Sequence, residues 1–332
     1  MSIHNKAYEI LSDDVFLTLP GELPGSELYV KIEGLNPAGS IKLKTAVGLI
    51  ADAESRGLLG PGGQVVESSS GNLGVALSMV CAAKGYAFTC VTDPNASAQN
   101  VAAMQALGAS VLVVRERDAN GGFLGSRIAR IKRLVHEDPS LVWTNQYGNA
   151  ANPRIHSVRT AASTVATVGV VDQLFVGAGT TGTLMGCAEY FRRFSPSTRI
   201  VAVDTTGSVT FGGPSGPRHI PGLGTSRRPE IFQRHLVDEV VLVDERDAVR
   251  TCRITARRHG ILLGGSTGSV LAAVLARAPD IPPGSRVVAL SPDLGDRYLS
   301  TIYNDDWVVS RFGIGTLEEA EAADEAQIPL PL

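Results

Sequence analysis

The feature that most constrains the fold is the alternation of short β-branched runs with helical stretches along almost the whole chain. Alternation of this kind predicts parallel sheets with helices on both faces, because each crossover between parallel strands needs a helix. The predicted strands are ELYVKIE, QVVES, AFTCVTD, SVLVVRE, LVWTN, QLFVGA, RIVAVD, EVVLVD and RVVALS. The predicted helices span Ile41–Arg56, Gly71–Lys84, Ser97–Leu107, Gly122–His136, Pro153–Thr167, Thr183–Phe194, Arg246–His259 and Thr267–Ala276. A chain of 332 residues is long enough for two lobes with separate cores.

Composition and charge exclude several classes of protein. With 44% hydrophobic residues and a formal net charge of -3, the chain is typical of soluble proteins and offers no electrostatic case for binding nucleic acid or an anionic membrane. The cysteines are scattered, without C-x-x-C or paired histidines, so we expect neither a metal site nor a disulfide framework. The N-terminal stretch MSIHNKAYEI lacks the basic-then-apolar order of a signal peptide, and no run is long and apolar enough to span a membrane. We therefore expect a cytoplasmic protein with reduced thiols.

Two stretches interrupt the alternation. Thr205–Glu230 is a long connection rich in Gly, Pro and Arg, and long connections in compact domains are usually functional or mobile. The segment after Thr316, LEEAEAADEAQIPLPL, is acidic, and we expect it to be loosely attached. A short peripheral helix is the alternative.

A glycine-rich loop follows the predicted strand QLFVGA. Its Gly177, Gly179 and Gly182 fit G-x-G-x-x-G, and Asp204 ends the next strand, RIVAVD. That layout is typical of a dinucleotide site, in which the acid holds a ribose. The same loop could hold another phosphate group, so this motif alone leaves the ligand open.

Three further junctions, each at the point where a strand or an apolar run enters a helix, contain residues that could bind a ligand. Doubly wound sheets bind ligands at such junctions. NPAGSIK places Lys42 in the first turn of a helix, where the helix dipole disfavours an ammonium. Lys42 is either one exposed lysine among many or a lysine kept as a neutral amine or Schiff base. The loops SSSGN and GGSTG could be ordinary capped turns or cradles for anions. All four junctions in one chain favour a single binding site.

The motifs NPAGSIK, SSSGNLG, GTTGT and LLGGSTGS, in this order and spacing, resemble those of the cysteine synthase and cystathionine β-synthase family. The similarity extends from the first predicted strand to LSPDLGDRYLS, nearly the whole chain. It implies an α/β, fold-type II pyridoxal-phosphate (PLP) enzyme with two doubly wound open-sheet domains and the active site in the cleft between them. It also implies a large PLP-binding domain of residues 11–44 plus 147–312, a small mobile domain of residues 45–146, and an acidic C-terminal tail of residues 313–332.

The resemblance assigns a role to individual residues. Lys42 is similar to the lysine that forms the Schiff base and then acts as general base. Asn72 matches the asparagine beside the 3-hydroxyl of the cofactor, and Ser266 matches the hydroxyl partner of the pyridine nitrogen. The residues that match the phosphate cup are Gly179, Thr180, Thr181, Gly182 and Thr183. The residues implied for substrate binding are Ser69, Ser70, Gly71, Asn72, Gln146, Tyr147 and Arg227.

The family chemistry implied is β-replacement, in which a nucleophile attacks an enzyme-bound aminoacrylate at Cβ. Tyr147, Thr181 and the arginines of GLGTSRRPE depart from sulfide-using cysteine synthases. The stretches DANGGFLGSRIARI and VTFGGPSGPRHIPGLGTSR are most similar to a branch that uses O-phospho-L-serine as donor and L-glutamate as nucleophile and makes a precursor of L-2,3-diaminopropionate for siderophores and peptide antibiotics. We expect Arg227, or alternatively Arg228, to bind the donor phosphate. Tyr147 could instead be packed in the core, and Arg227 could be a solvated loop charge.

Three alternatives remain open at this stage. The first is a cysteine synthase that uses O-phosphoserine or O-acetylserine with sulfide. The second is a PLP-binding scaffold without turnover, against which the intact Lys42 and Asn72 argue. The third is a nicotinamide enzyme, which would leave Lys42 and two of the loops without a role. From the resemblance we further expect a homodimer and a downstream NAD-dependent oxidase that acts on the product.

Overall fold

The computed structural model describes residues 3–119 and 121–325, and within them the chain forms two sheets. The strands of the larger sheet are β1 (Phe16–Thr18), β2 (Glu27–Ile32), β7 (Gln173–Gly177), β8 (Arg199–Thr205), β9 (Glu239–Val243) and β10 (Arg286–Ser291). Those of the smaller sheet are β3 (Gln64–Ser68), β4 (Ala87–Thr92), β5 (Ser110–Val113) and β6 (Leu141–Trp143).

The larger sheet has the order β1-β2-β10-β7-β8-β9 and the smaller sheet the order β5-β4-β3-β6. Every pair is parallel except β1 with β2. The alternating sequence therefore gives the expected α/β architecture, since parallel neighbours are joined through helices. All four strands of the smaller sheet lie between residues 64 and 143, inside the segment predicted as the small domain. The domain boundaries themselves stay a prediction.

The helices lie between the strands as the sequence pattern predicts. They are α1 (Lys42–Ser55), α2 (Asn72–Lys84), α3 (Ala98–Ala106), α4 (Leu124–Glu137), α5 (Ala151–Ile155), α6 (Ala162–Val168), α7 (Gly182–Phe194), α8 (Glu245–His259), α9 (Gly265–Arg277), α10 (Asp305–Phe312) and α11 (Gly315–Glu325). A π-helical segment, His156–Ala161, joins α5 to α6, where the sequence predicted one continuous helix. In the part of the chain that the structure describes, no helix is both long and apolar enough to cross a membrane.

The structure corrects the expectation for the C-terminal segment. Helix α11 is the short peripheral helix named as the alternative, and it packs on α8 through ion pairs of Arg250 with Glu319 and of Arg257 with Glu321. The part of the acidic stretch that forms α11 is thus held against α8, because basic side chains of α8 form ion pairs with it. Residues 326–332 lie outside the described residues.

Candidate active site

Lys42 begins helix α1, directly after the loop that follows β2. The Asn36 amide closes this loop by donating to the carbonyl oxygens of Glu33 and Ser40, and Ser40 Oγ accepts the backbone N–H of Lys42 at 3.4 Å. Burial lowers the pKa of the Lys42 ammonium, and the carboxylate of Asp293 opposes that change. An amine with a lowered pKa is more readily deprotonated, as a lysine that forms covalent bonds must be.

The loop between β7 and α7 forms a closed cradle. Thr181 is the N-cap of α7 with a left-handed φ of 65°, and its buried Oγ1 has no hydrogen-bond partner among the described residues. A side chain at Gly182 would overlap the amide of Asn152, whose Nδ2 donates to Thr180 Oγ1 at 3.3 Å. Unpaired donors at the start of a helix are the usual way of binding a phosphate group.

A buried histidine connects this cradle to the lysine helix. His156 Nε2 lies 3.0 Å from Thr45 Oγ1 and 3.3 Å from Thr183 Oγ1. Burial, reinforced by the charges of Lys42 and Lys44, lowers the pKa of His156 well below its usual value. The imidazole is therefore neutral and acts as a hydrogen-bonding bridge between α1 and the first turn of α7.

Ser266 lies in the first turn of α9 and is only 2% exposed. The long connection after β8 passes directly over it, since a Cβ at Gly222 would lie 3.3 Å from Ser266 Cβ. On its other side the backbone of Gly222 covers Gly179, where an added Cβ would lie 2.6 Å from the Gly222 carbonyl oxygen. The structure thus places Ser266 close to the cradle, as the resemblance implies.

Asn72 begins α2, on the smaller sheet, and reaches the loop that follows β10 of the larger sheet. Its Nδ2 donates to Asp293 Oδ2 at 2.7 Å, and its Oδ1 accepts from Arg297 Nη1 at 2.5 Å. Asp293 pairs with Ser40 in an isolated β-bridge two residues before Lys42. Asn72 and Lys42 are therefore brought together around one buried carboxylate.

The serine loop after β3 is occupied by its own hydrogen bonds. Ser69 Oγ accepts the backbone N–H groups of Gly71 at 3.2 Å and of Gly74 at 3.0 Å, which caps the first turn of α2. Ser70 and Gly71 are partly exposed. Ser69 Oγ also donates to the carbonyl oxygen of Gly71 at 3.4 Å, a long hydrogen bond that the O–H would exchange to bind a ligand.

A buried carboxylate lies beneath that loop. Glu67 accepts hydrogen bonds from Thr144 Oγ1 at 2.6 Å, from the backbone N–H of Gln146 at 3.0 Å and from Trp143 Nε1 at 3.3 Å. Burial raises the pKa of Glu67, and these hydrogen bonds oppose the rise. Gln146 Nε2 in turn donates to the carbonyl oxygen of Ser68 at 2.7 Å, so the ends of β3 and β6 are joined next to the serine loop.

Tyr147 and Arg227 line one cavity of about 150 Å³ near the end of β6. The structure places the Arg227 side chain at 49% exposure, with Nη2 donating to Glu230 Oε1 at 2.5 Å. The guanidinium of Arg228, the alternative, lies over the ring of Phe232 at 4.9 Å. Arg227 and Tyr147 are thus neighbours at the edge of the site, whereas Lys42 and Asn72 both lie near Asp293, and Thr45 of α1 is linked to Thr183 of the cradle through His156.

The sequence analysis missed a buried arginine on α4. Arg127 is 7% exposed, its Nε lies 3.3 Å from Asp93 Oδ2, and its Nη1 has no hydrogen-bond partner among the described residues. The positive charge of Arg127 opposes the rise that burial causes in the pKa of Tyr147, so the two side chains are close. A signal was present, because Arg127 is the one charged member of the buried face of α4, which consists of Leu124, Arg127, Ile128 and Ile131.

A comparison with protein families shows which family the chain belongs to. A family model described as pyridoxal-phosphate dependent enzyme matches residues 16–293. The chain belongs to this family. Its members bind PLP, and the cofactor prediction is confirmed.

Individual relatives and solved structures agree with that assignment. The chain is 42% identical over 292 residues, 85% of its length and 84% of the relative, to an N-(2-amino-2-carboxyethyl)-L-glutamate synthase of Ralstonia nicotianae. It is also 42% identical over 287 residues, 85% of its length and 84% of the relative, to the enzyme of the same name from Cupriavidus metallidurans.

Among solved structures, O-ureido-L-serine-bound O-ureido-L-serine synthase matches with a TM-score of 0.85 and 30% identity, covering 99% of this chain and 100% of that one. A hydrogen sulfide-producing enzyme from Fusobacterium nucleatum matches with a TM-score of 0.84 and 28% identity, covering 90% of this chain and 99% of that one.

The residues present fit PLP. The unpaired Thr181 Oγ1 at the start of α7 suits a phosphate group, and burial gives Lys42 the lowered pKa that a reactive amine needs. Asp204, the acid that a dinucleotide would require, is fully buried and accepts the backbone N–H of Thr205 at 2.8 Å. Burial raises the pKa of Asp204 to about 6. The nicotinamide interpretation of the glycine-rich loop is therefore set aside.

Proposed function

We propose that this enzyme replaces the phosphate of O-phospho-L-serine with the α-amino group of L-glutamate, giving N-(2-amino-2-carboxyethyl)-L-glutamate. The observation that carries the proposal is the 42% identity, over 85% of the chain, to two relatives that bear the name of this synthase. Arg227, which lines a cavity with Tyr147, and Arg127, whose charge acts on Tyr147, support it, because O-phospho-L-serine carries a phosphate group and L-glutamate carries two carboxylates.

The cofactor contacts in this proposal follow the family resemblance. PLP, when bound, supplies an electron sink for the negative charge that develops at Cα. Lys42 holds the cofactor and takes the Cα proton as general base, for which a lowered pKa is required. The cup of Gly179, Thr180, Thr181, Gly182 and Thr183 holds the phosphate. Asn72 contacts the 3-hydroxyl, and Ser266 contacts the pyridine nitrogen without supplying a formal charge.

The substrate contacts in this proposal come from both sheets. The O–H of Ser69, the partly exposed Ser70 and Gly71, and the side chain of Gln146 bind the donor carboxylate at the start of α2. Arg227 binds the donor phosphate, for which it must exchange its ion pair with Glu230.

A second anion-binding contact is proposed at Arg127. Its buried and unpaired Nη1, beside Tyr147, is a donor for a further anionic group of either substrate. Arginine suits this position because its guanidinium stays charged when buried and binds carboxylate or phosphate oxygens in pairs.

The reaction balances without a further reactant. The Cβ–O bond of O-phospho-L-serine breaks and phosphate leaves with the bonding electron pair. The α-amino nitrogen of L-glutamate then forms the new bond to Cβ and gives up one proton to solvent, and the proton that Lys42 removed returns to Cα.

The experiment that tests the proposal measures phosphate release from O-phospho-L-serine by the purified holoenzyme with L-glutamate or with sulfide as the nucleophile. We expect steady turnover with L-glutamate and slow turnover with sulfide. Fast turnover with sulfide and none with L-glutamate would make the enzyme a cysteine synthase instead. Absence of turnover with either nucleophile, in protein that carries PLP, would favour the scaffold alternative.

Three wider expectations belong to the same proposal and rest on the family resemblance. The active site lies in a cleft between the large and small domains, and two copies of the chain form a homodimer in the cytoplasm. An NAD-dependent oxidase then acts on the product, toward L-2,3-diaminopropionate for a siderophore or peptide antibiotic.

A further inference from the structure

The side-chain amide of Asn72 is held from two sides by the turn that follows β10. Asp293 Oδ2 accepts a hydrogen bond from its Nδ2 at 2.7 Å, and Arg297 Nη1 donates to its Oδ1 at 2.5 Å. Asp293 is 1% exposed and Asn72 is partly buried. Solvent therefore screens the charge of the Asp293 carboxylate only weakly.

The two contacts allow only one orientation of the amide. Turning the Asn72 carboxamide by 180° would direct its NH₂ group at the guanidinium of Arg297 and its oxygen at the carboxylate of Asp293. Both contacts would then be repulsive, since arginine has no acceptor and an ionised carboxylate has no donor. In the observed orientation one N–H of Nδ2 is used by Asp293, and the other has no acceptor among the described residues.

The two partners of Asn72 are themselves fixed. Arg297 Nη2 donates to the carbonyl oxygen of Ala38 at 2.6 Å, in the loop that leads into Lys42. Gly39, in the same loop, has a φ of +66°, and a Cβ there would lie 2.7 Å from Arg297 Nη2. The guanidinium therefore lies close to the loop that leads into Lys42 and joins this loop to Asn72, the first residue of α2.

Asp293 is oriented by a second donor and by the backbone. Tyr298 OH donates to Asp293 Oδ2 at 2.6 Å, and the backbone carbonyl of Asp293 accepts the N–H of Gly264 at 3.2 Å. A Cβ at Gly264 would overlap Asp293 Oδ1, so this glycine is needed for the carboxylate to occupy its place. Burial raises the pKa of Asp293, while the hydrogen bonds from Tyr298 and Asn72 oppose the rise.

We propose that Asp293 and Arg297 are positioning residues that fix the orientation of the Asn72 amide, so that its remaining N–H is presented to the cofactor. We call this pair the Asn72 clamp. The clamp belongs to the larger sheet and Asn72 to the smaller one, so the cofactor contact of Asn72 depends on the two sheets being held together at this point. The inference rests on the proposed contact between Asn72 and PLP.

The test compares Asn72→Ala, Asp293→Asn and Arg297→Gln, with Asp296→Asn and Arg311→Gln as matched controls on exposed positions nearby in the chain. Two properties are measured: the affinity of the apoenzyme for PLP and the wavelength of the absorbance band of the bound cofactor. We expect each clamp variant to weaken PLP binding about tenfold or more and to shift the band in the direction seen for Asn72→Ala. The controls should leave both properties unchanged.

A double-mutant cycle separates positioning from general stabilisation. Because the clamp acts through Asn72, Arg297→Gln should change the absorbance band in the wild-type background and leave it unchanged in the Asn72→Ala background. Arg297→Lys keeps the charge but cannot donate to Ala38 and Asn72 in the same fork, so it should restore PLP affinity only in part.

Two results would overturn the proposal, and they are distinguishable. If Asn72→Ala alters PLP affinity and spectrum but neither clamp variant does, the clamp is wrong and the Asn72 contact stands. If Asn72→Ala itself leaves both properties unchanged, the proposed contact between Asn72 and PLP is wrong, and the proposed role of the Asn72 clamp is wrong as well. Should Arg297→Gln not fold, Asp293→Asn and Arg297→Lys give the same comparison.

Discussion

Two loops of this enzyme look alike in sequence and differ in how their hydroxyl groups are paired. Gly179–Thr183 follows β7 of the larger sheet and Ser69–Asn72 follows β3 of the smaller sheet, and each joins a strand to a helix through glycines and hydroxyls. In the first loop Thr181 Oγ1 is buried without a partner among the described residues. In the second loop Ser69 Oγ accepts two backbone N–H groups of its own helix.

The difference between Thr181 and Ser69 points to the loop that a ligand completes. An unsatisfied buried hydroxyl destabilises a fold by about 1–3 kcal/mol, and a ligand that supplies the missing partner removes this cost. In the serine loop Ser69 is hydrogen-bonded to backbone N–H groups at the start of α2, and Glu67 supports the loop from below, although Ser68 Oγ at the end of β3 is also buried without a partner among the described residues. We therefore propose that the first loop holds the permanent cofactor and the second a substrate that comes and goes.

The largest expected effect is that of Lys42→Ala, which removes the lysine proposed to hold the cofactor and to act as general base. We expect loss of turnover by about 10³-fold or more, together with loss of the absorbance band of lysine-bound PLP, because both the attachment point and the general base are gone. The exposed Lys6→Ala serves as the control. Normal turnover by the Lys42→Ala protein would remove this lysine from the mechanism.

The comparison between the loops is sharpened by a pair of variants, Thr181→Val and Ser69→Ala. Thr181→Val should weaken PLP binding by roughly 10- to 150-fold, because a hydrogen bond to a charged group contributes about 1.5–3 kcal/mol, while the apoprotein loses no internal bond. Ser69→Ala should instead lower the free energy of unfolding by about 1 kcal/mol, as loss of a helix cap does. It should also raise the KM for O-phospho-L-serine.

PLP titrations, thermal unfolding of the apoproteins and steady-state kinetics measure these effects. A Thr181→Val protein that is destabilised but binds PLP normally would reverse the proposed division of roles.

The two arginines proposed to bind anions also differ in exposure. Arg127 is buried on α4, whereas Arg227 is exposed in the long connection. Arg227→Ala should reduce turnover of O-phospho-L-serine by roughly 10- to 150-fold and largely spare O-acetylserine, because only the phosphoserine carries the extra charge. Arg127→Lys should show the same selectivity if Arg127 binds the donor phosphate, and should raise the KM for L-glutamate with both donors if it binds the nucleophile. Arg228→Ala tests the alternative phosphate-binding arginine, and the exposed Arg311→Gln is the control. Equal losses with both donors from Arg227→Ala would show that Arg227 supports the fold.

Much of the fold was predictable because the β-branched runs and their spacing are local signals. All nine predicted strands and the eight predicted helical regions are present, with ends shifted by a few residues. β1 was missed because it is a three-residue strand that exists through its antiparallel pairing with β2. The sequence pattern also gave no sign of α10, an eight-residue helix that packs with the C-terminal helix.

The candidate site was predictable only where its residues belong to recurrent motifs. Lys42, Asn72, Ser266 and the cup lie in such motifs, and the structure brings them together. Arg297, Asp293 and Glu67 act through partners far away in the chain, 225 residues away in the case of Arg297 with Asn72. No local pattern encodes a contact of that kind, although the charged Arg127 on an apolar helix face and Glu67 within a buried strand were detectable as exceptions.

The last expected effect acts on stability alone and concerns His156, which is fully buried and joins α1 to the first turn of α7. Its pKa in the folded protein lies well below the unfolded value of about 6.5, so only the unfolded chain takes up a proton as the pH falls below that value. Stability should therefore fall by up to about 1.4 kcal/mol per pH unit below pH 6.5, with little effect above it.

His156→Gln should show a smaller loss of thermal stability between pH 8 and pH 5 than the wild-type enzyme. An unchanged pH dependence would mean that other groups are responsible for it.

The most direct test of the account is the identity of the product when both nucleophiles compete. The holoenzyme is given O-phospho-L-serine with ¹⁵N-labelled L-glutamate and sulfide at equal concentrations, and the products are identified by mass spectrometry. The account predicts that N-(2-amino-2-carboxyethyl)-L-glutamate dominates, with the label in the nitrogen that bridges the two carbon skeletons. Cysteine as the dominant product, with the labelled glutamate recovered unchanged, would contradict it.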